Sequence, residues 1–283
     1  MMKEYKNLTL DEERALYHVE NASIIQCLFD GPADGESALK ESRNIQVSDC
    51  DFHLRYPFWH TSNAVIENSR MTETCRAALW YDRNIKLQDC TMEGIKAVRE
   101  CDEVEVDGCN ITSPEFGWLS RGITIRNTTL HSEYPFLQSR NIEINHLTMT
   151  GKYSFQYVEN MTIRNSHLDT KDAFWHSRNV TVFDSVIRGE YLAWYSKNLH
   201  LVRCKIIGTQ PLCYAEGLVL EDCEMVGCDL SFEYSDVEAR IIGHVDSVKN
   251  PRSGHIHAGS IGEIILDEYR IPDDSCEITQ ENN

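Results

Sequence analysis

The chain has 283 residues, of which 41% are hydrophobic, and a formal charge of −18 at neutral pH. This composition is typical of a soluble globular protein with a sizeable core, and the acidic balance opposes binding to nucleic acid or to anionic membrane surfaces. The sequence has no apolar signal segment and no run of about 18 apolar residues, so we expect a cytoplasmic protein without a membrane span.

Residues 1–20 precede the regular part of the sequence and are predicted to form an N-terminal cap. From residue 21 to residue 236, apolar positions recur in columns with a step of nineteen residues. One column contains Val106, Ile125, Ile144, Ile163, Val182, Leu201 and Leu220. A fixed period near twenty residues indicates a solenoid, and the alternation of apolar positions within each repeat predicts strands.

We therefore predict an all-β fold, a right-handed parallel β-helix of about eleven coils that rises about 4.8 Å per coil. The left-handed alternative normally shows a hexapeptide rhythm, which this sequence lacks. Residues 237–283 break the period and are predicted to form a C-terminal cap and polar tail, in which Asp273 and Asp274 are interpreted as solvated charge. The three parts are expected to form one domain.

An asparagine recurs where the chain turns into the next strand, as in ESRNI (41–45), QSRNI (138–142) and HSRNV (176–180). The column contains Asn21, Asn44, Asn63, Asn84, Asn141, Asn160, Asn179 and Asn198, with Gly122 and Gly217. Asparagine and glycine tolerate left-handed backbone, and stacked amides can form a hydrogen-bonded ladder. The basic residues before this column predict a solvated stripe, with a phosphate or sulfate site as the alternative. They are Arg43, Arg83, Arg121, Arg140, Arg178 and Lys197.

One segment of each coil is aromatic, as in YPFWH (56–60), DAFWH (172–176) and YLAWY (191–195). If these segments are strands, alternation predicts a buried tryptophan face and an exposed aromatic face that binds a ligand. The tryptophan face contains Trp59, Trp80, Trp118, Trp175 and Trp194. The predicted ligand-binding residues are Tyr56, Phe58, His60, Tyr134, Phe136, Tyr153, Phe155, Tyr157, Phe174, Tyr191 and Tyr214. The alternative is that a loop, the C-terminal segment or a partner subunit covers this row.

Catalytic groups in a solenoid must come from adjacent coils, and residues 153–214 are the richest stretch. There Asp172, His176, Glu190 and Tyr195 are candidate acid or base groups, although a packing role for His176 is the alternative. The sequence contains no recognisable metal or cofactor motif, so we predict neither group. The cysteines fall in apolar segments, which predicts reduced and buried structural thiols. The repeated positions are Cys27, Cys50, Cys90, Cys109, Cys204 and Cys223.

Several long segments resemble one bacterial family, domain of unknown function 3737. These segments are YPFWH, AALWY, SRNI, DAFWH, GEYLAWYSKNL, GTQPLCYAEGLVLEDC and GHVDSVKNPRSG. The resemblance covers nearly the whole chain and implies a pectin-lyase-like right-handed β-helix of bacterial, cytoplasmic origin. It implies no activity and no catalytic residues, and the catalytic signatures of polygalacturonases and pectate lyases are not recognisable here.

The sequence leaves two hypotheses of different classes. The first is a noncatalytic binding or scaffold protein whose aromatic row contacts a carbohydrate-like ligand or another protein. The second is a cytoplasmic carbohydrate-active enzyme, a glycoside hydrolase or lyase, with acid and base groups near residues 172–195. The oligomeric state does not follow from the sequence.

Overall fold

The computed structural model describes residues 2–32, 35–267 and 275–281, so the predicted role of Asp273 and Asp274 lies outside the described residues. The chain forms two compact units, Met1–Glu143 and Ile144–Asn283, and each is described by itself. In the described part, all regular structure is β-strand except one short 3₁₀ helix, η1, at Glu73–Cys75.

The first unit contains strands that pair in parallel with the strands of the neighbouring coils. They are β1 (Lys3–Lys6), β2 (Thr9–Leu10), β3 (Glu20–Ile25), β4 (Leu28–Phe29), β5 (Arg43–Ser48), β6 (Asp51–Phe52), β7 (Ser62–Glu67), β8 (Arg70–Met71), β9 (Leu79–Trp80), β10 (Arg83–Gln88), β11 (Thr91–Met92), β12 (Val98–Arg99), β13 (Asp102–Asp107), β14 (Asn110–Thr112) and β15 (Arg121–Ser132). The boundary between the units falls within β16 (Arg140–Lys152).

The second unit is built in the same way. Its strands are β17 (Glu159–Arg164), β18 (His167–Lys171), β19 (Arg178–Phe183), β20 (Val186–Arg188), β21 (Lys197–Val202), β22 (Lys205–Ile207), β23 (Leu218–Val226), β24 (Asp236–Lys249), β25 (Ser253–Ile265) and β26 (Ser275–Gln280). Each of these strands from β17 to β22 pairs in parallel with the strand two further along the chain or with β23.

The apolar columns of the sequence are the inward positions of these strands. In the first unit Val106 pairs with Ile125, and in the second Ile163 pairs with Val182, which pairs with Leu201. These side chains are at most 2% exposed. A strand directs alternate side chains to opposite faces, so a nineteen-residue step that keeps the register places like residues in one interior. The all-β parallel β-helix predicted from the sequence is confirmed.

The predicted number of coils is too low, because the chain makes about 14 turns. The terminal segments account for the difference. Strand β1 pairs in parallel with β3, and β24, β25 and β26 pair in parallel in succession. The predicted caps, residues 1–20 and 237–283, therefore contain strands that extend the parallel pairing. Their capping role stays a prediction. The irregular spacing of their apolar residues concealed them, since β24 carries a register shift between Ile241 and His244.

The asparagine column forms the predicted corner ladder. In the first unit the amide nitrogen of Asn63 donates to Asn44 Oδ1 at 3.0 Å, and that of Asn84 donates to Asn63 Oδ1 at 2.8 Å. In the second unit Asn179 donates to Asn160, and Asn198 donates to Asn179, both at 3.0 Å. All of these asparagines have a φ near +55°, in the left-handed region that favours asparagine and glycine.

The ladder predicts a specific effect on stability. Replacing Asn179 with alanine removes two amide hydrogen bonds, worth about 1–3 kcal/mol together, and puts a residue that tolerates left-handed backbone less well than asparagine at a φ of 54°. Asn179→Gly removes the same bonds without the backbone cost, so its loss of unfolding free energy should be smaller. Urea denaturation of both variants measures the difference, and equal losses would show that the backbone conformation contributes nothing.

Candidate functional site

Apart from β9 (Leu79–Trp80), the aromatic segments are turns rather than strands. In the segment 172–176, Asp172, Phe174 and His176 have φ values of 52°, 62° and 55°, so every second residue is left-handed. The same pattern holds at Tyr191 and Tyr195. Because strand alternation requires extended backbone at every residue, side chains two apart in these turns need not share a face. Phe174 is 2% exposed, whereas His176 is exposed.

The phenylalanines of these turns belong to the core, so their predicted position in an exposed ligand-binding row is wrong. The fully or almost fully buried residues are Phe58, Phe136, Phe155 and Phe174. The Phe155 and Phe174 rings stack with centroids 5.0 Å apart and planes 13° apart. At Phe136, Phe155 and Phe174 the left-handed backbone turns the ring inward, whereas the strand interpretation placed it in solvent.

The tryptophans are half-buried at the surface, so their predicted burial is also wrong. Trp175 Nε1 donates to the carbonyl of Tyr191 at 2.6 Å, and Trp194 Nε1 donates to the carbonyl of Gln210 at 2.9 Å. The two indole rings are 5.4 Å apart and nearly parallel, at 1°. The indoles thus hold adjacent coils together at the rim of the turn.

The second unit carries a row of stacked rings that we name the tyrosine ladder: Tyr157, His176, Tyr195 and Tyr214. Successive ring centroids are 4.8, 5.1 and 4.9 Å apart, and successive planes differ by at most 13°. This spacing follows the separation of neighbouring strands, about 4.8 Å. The ring faces therefore cover one another, and the ring edges carry the hydroxyls and the imidazole nitrogens. Tyr157, His176 and Tyr195 are exposed, whereas Tyr214 is half-buried.

The remaining predicted ligand-binding residues divide by exposure. His60 and Tyr134 are exposed, and Tyr56, Tyr153 and Tyr191 are half-buried. Tyr157 and Tyr195 are 48% and 44% exposed, whereas burial raises the pKa of Tyr214 to about 12. The exposed part of the predicted row is thus formed by ring edges at one end of each turn.

The candidate catalytic residues have different surroundings. Asp172 is 5% exposed, and its pKa is raised mainly by burial and further by Glu190, against an opposing effect of Lys171. Glu190 is exposed and forms an ion pair with Lys171 at 3.0 Å. The ring of His176 lies between those of Tyr157 and Tyr195, which agrees with a packing role. In the described part of the chain, no hydrogen bond joins His176 to a carboxylate.

The first unit has a second aromatic group, in which the residue after each tryptophan also stacks. Trp59 lies 5.3 Å from Trp80, and His60 lies 5.2 Å from Tyr81, both pairs with planes 13° apart. The ammonium of Lys40 lies 3.8 Å from the centre of the Trp59 ring. Trp59 and Trp80, which the sequence predicts to be buried, are thus half-buried beside these stacked rings.

Three of the six residues of the basic stripe form ion pairs with carboxylates, which supports the solvated interpretation for those three. Arg83 and Arg121 lie 3.6 and 3.0 Å from Asp102, and Lys197 lies 2.7 Å from Glu216. Exposed pairs of this kind contribute little to stability.

The cysteines are free thiols, and all except Cys276 are buried, as the sequence predicts. Burial raises the pKa of Cys50, Cys75 and Cys213 to about 12. A thiol with such a pKa is a poor nucleophile and a poor metal ligand at neutral pH. Within residues 2–32, 35–267 and 275–281, there is no group of three or more potential metal ligands, and no helix is long and apolar enough to cross a membrane.

Similar solved structures are distant. A surface adhesin of Streptococcus pneumoniae, PfbA, is 12% identical with a TM-score of 0.34, over 84% of this chain and 70% of that chain. The A-module of the Azotobacter vinelandii mannuronan C-5 epimerase AlgE4 is 8% identical with a TM-score of 0.30, over 98% and 85% of the two chains. The catalytic domain of a GH87 alpha-1,3-glucanase, in complex with nigerose, is 10% identical with a TM-score of 0.27, over 99% and 63%.

These similarities are too weak to support any functional assignment, and no curated protein sequence significantly matches the chain. The family comparison is different in kind, because one family model spans residues 3–279. This range includes the strands, the asparagine ladder and both aromatic groups. The chain therefore belongs to the family described as Protein of unknown function (DUF3737).

Proposed function

We propose that the protein is a noncatalytic binding protein, in which the tyrosine ladder contacts a carbohydrate-like ligand through hydrogen bonds. The observation that carries this proposal is the even spacing of exposed polar ring edges, 4.8 to 5.1 Å from one ring to the next. Tyrosine hydroxyls and imidazole nitrogens both donate and accept hydrogen bonds, and an extended glycan offers hydroxyl partners at regular intervals.

The stacking determines the mode of contact. Sugar rings commonly pack on exposed aromatic faces, but the faces in the ladder are covered by the neighbouring rings. Recognition therefore depends on the hydroxyl groups at the edges rather than on aromatic surface. A protein partner, in contrast, would use the apolar ring edges as well, since tyrosine is enriched in protein interfaces for both properties.

The test distinguishes binding through the tyrosine hydroxyls from binding through the aromatic rings. Tyr157→Phe combined with Tyr195→Phe keeps the stacked rings and removes two hydroxyls. We expect about tenfold weaker binding to a glycan that binds the unmodified protein, given about 0.5–1.5 kcal/mol for each lost hydrogen bond. Affinity electrophoresis in gels that contain different neutral polysaccharides measures the effect.

Tyr81→Phe is the matched control, because Tyr81 is 43% exposed and follows a tryptophan in the same way but lies outside the ladder. Its binding should equal that of the unmodified protein. Equal binding by the double phenylalanine variant, or no retention by any polysaccharide, would contradict the glycan proposal. Retained binding of a protein partner by that variant would favour the protein ligand.

The enzyme alternative rests on one specific observation, the raised pKa of buried Asp172. A carboxyl that stays protonated at higher pH is suited to act as a general acid. Asp172→Asn distinguishes this function, because loss of hydrolysis or lyase products without loss of glycan binding would assign catalysis to Asp172.

We propose a cytoplasmic location as part of this function. Support comes from the free cysteines, since a chain with this many thiols would form disulfides in an oxidising compartment. The charge of −18 also supports the expectation that the ligand is neither nucleic acid nor an anionic membrane surface.

A further inference from the structure

The first unit contains a groove that the tyrosine ladder does not share. It has a volume of about 180 Å³ and is lined by Tyr56, Arg76, Trp80, Ile95, Lys96 and Arg99. Its floor is Ala77, which stands between Tyr56 and Lys96 in the column three residues before the tryptophans. The groove exists because alanine interrupts this column of long side chains, so that the space of one side chain is left open.

The rings of Tyr56 and Trp80 beside the groove do not stack face to face as the rings of the tyrosine ladder do. The planes of Tyr56 and Trp80 are tilted by 56°, with centroids 5.4 Å apart. In the next coil, the residue that pairs with Trp80 is Arg99, whose guanidinium lies 5.6 Å from the centre of the Trp118 ring. No third aromatic ring therefore continues the stack at Trp80, and Tyr56, Trp80 and Ile95 give the groove an apolar wall.

Three cations surround this wall in a chain that is strongly acidic overall. Arg76 is exposed and forms no ion pair with any described residue. Lys96 Nζ and Arg99 Nη1 lie 3.6 and 3.7 Å from the same oxygen of Glu115, and Arg99 Nε donates to Glu100 at 3.0 Å. The two contacts with Glu115 are longer than hydrogen bonds. The nearby acidic residues thus offset two of the three positive charges.

Two buried donors at the groove lack the partners that their chemistry requires. Within the described residues, neither Nη1 of Arg99 nor Nε1 of Trp80 makes a hydrogen bond of normal geometry. The Trp80 side chain lowers the pKa of the Tyr81 hydroxyl through a hydrogen bond, against the larger raising effect of Glu100, so the Trp80 N–H partly finds an acceptor in Tyr81. By contrast, Trp175 and Trp194 donate to backbone carbonyls. Buried donors normally find a partner, so Arg99 Nη1 in particular indicates a missing acceptor.

We infer that the groove binds a small organic carboxylate with a flat apolar body. The body packs against Tyr56 and Trp80 over Ala77, and the carboxylate accepts hydrogen bonds from the cations at the rim. Arginine suits this role because its planar guanidinium matches the two oxygens of a carboxylate. None of these residues belongs to the tyrosine ladder, so the inference is independent of the proposed function.

The test uses benzoate as the probe, with benzamide as its neutral counterpart and inorganic phosphate as an anion without an apolar body. Ligand-observed NMR titration of the full chain measures the dissociation constants. We expect saturable binding of benzoate, and at least tenfold weaker binding of benzamide and of phosphate. Benzamide or phosphate binding as tightly as benzoate, or no saturable benzoate binding, would overturn the inference.

Variants locate the binding. Arg76→Gln removes the unpaired cation and should weaken benzoate binding at least tenfold, and Ala77→Leu should abolish it by filling the groove. Arg188→Gln, at an exposed arginine of the second unit, is the matched control and should bind as the unmodified protein does. A thermal unfolding curve for each variant shows that it is folded. Benzoate binding that persists in folded Ala77→Leu would overturn the assignment to this groove.

Discussion

Replacing Phe174 with alanine is expected to destabilise the protein by about 3–5 kcal/mol, the usual cost of removing a buried aromatic ring. Phe174 is 2% exposed and stacks on Phe155 at 5.0 Å, so its removal leaves a cavity and an unsupported ring. Loss of aromatic stacking adds to the loss of burial. Urea denaturation, followed by tryptophan fluorescence, measures the shift in the unfolding midpoint.

His176→Ala is the matched control. Both positions have left-handed backbone, with φ of 62° and 55°, so alanine carries a similar backbone cost in both variants. His176 is exposed, and its replacement removes only its stacking on Tyr157 and Tyr195, with an expected loss of about 1 kcal/mol. Similar losses for the two variants would contradict the inward position of Phe174 and would restore the strand interpretation of this segment.

The fold could be predicted because burial constrains the strands at regular intervals. Each strand must direct its branched aliphatic residues inward, and a slip of one residue would expose all of them. The pairing of Ile163 with Val182 and Leu201 follows directly from the nineteen-residue step. The asparagine ladder was predictable for a similar reason, since few residues other than asparagine and glycine adopt positive φ without strain.

The candidate site could not be predicted in the same way, because its backbone conformation is not encoded by residue type. Tyr153, Phe155 and Tyr157 all have positive φ, although bulky aromatic residues rarely adopt it. Hydrogen bonds to adjacent coils hold these turns, such as Tyr157 N–H to the carbonyl of Trp175 at 2.9 Å. The conformation is thus imposed by stacking of coils, and a rule based on local alternation assigns the faces incorrectly.

The groove at Ala77 also could not be predicted from the sequence, because it depends on residues of adjacent coils. The sequence shows that alanine stands among aromatic and charged residues, but the consequence of a small side chain depends on its neighbours in adjacent coils. Tyr56 and Lys96 flank it only because the coils stack in register. Cavities in a solenoid therefore arise from differences in side-chain size between equivalent positions of successive coils. These differences can be recognised once each coil is aligned with the next.

The buried carboxyl of Asp82, in the first unit, leads to a second large expected effect on stability. Asp82 is 1% exposed and occupies a column that holds Ser120 and Ser139 in later coils. Its Oδ1 accepts a hydrogen bond from the Thr61 N–H at 2.7 Å, whereas its Oδ2 has no partner in the described part of the chain. The serines make both kinds of bond, as Ser120 Oγ accepts from the Cys101 N–H and donates to the carbonyl of Trp118.

Asp82→Ser is therefore expected to stabilise the protein by about 1–3 kcal/mol at pH 8, the cost of leaving a buried polar atom without a partner. Burial raises the pKa of Asp82 well above its ordinary value, so the folded state disfavours the ionised form. The stability of the unmodified protein is thus greatest below the ordinary pKa of aspartate and falls as the pH rises through the raised one. The serine variant has no carboxyl at this position, so its stability should not show this fall with pH.

The gain from Asp82→Ser should consequently be larger at pH 8 than at pH 5, and urea denaturation at the two values measures it. Asp49→Ser is the control, because Asp49 is exposed and its replacement also removes one negative charge. If the charge itself mattered in a chain of −18, both variants would gain equally. A gain for Asp82→Ser that did not change between pH 5 and pH 8 would show that the folded and the unfolded chain bind the same number of protons at Asp82 over this range, and would contradict the raised pKa.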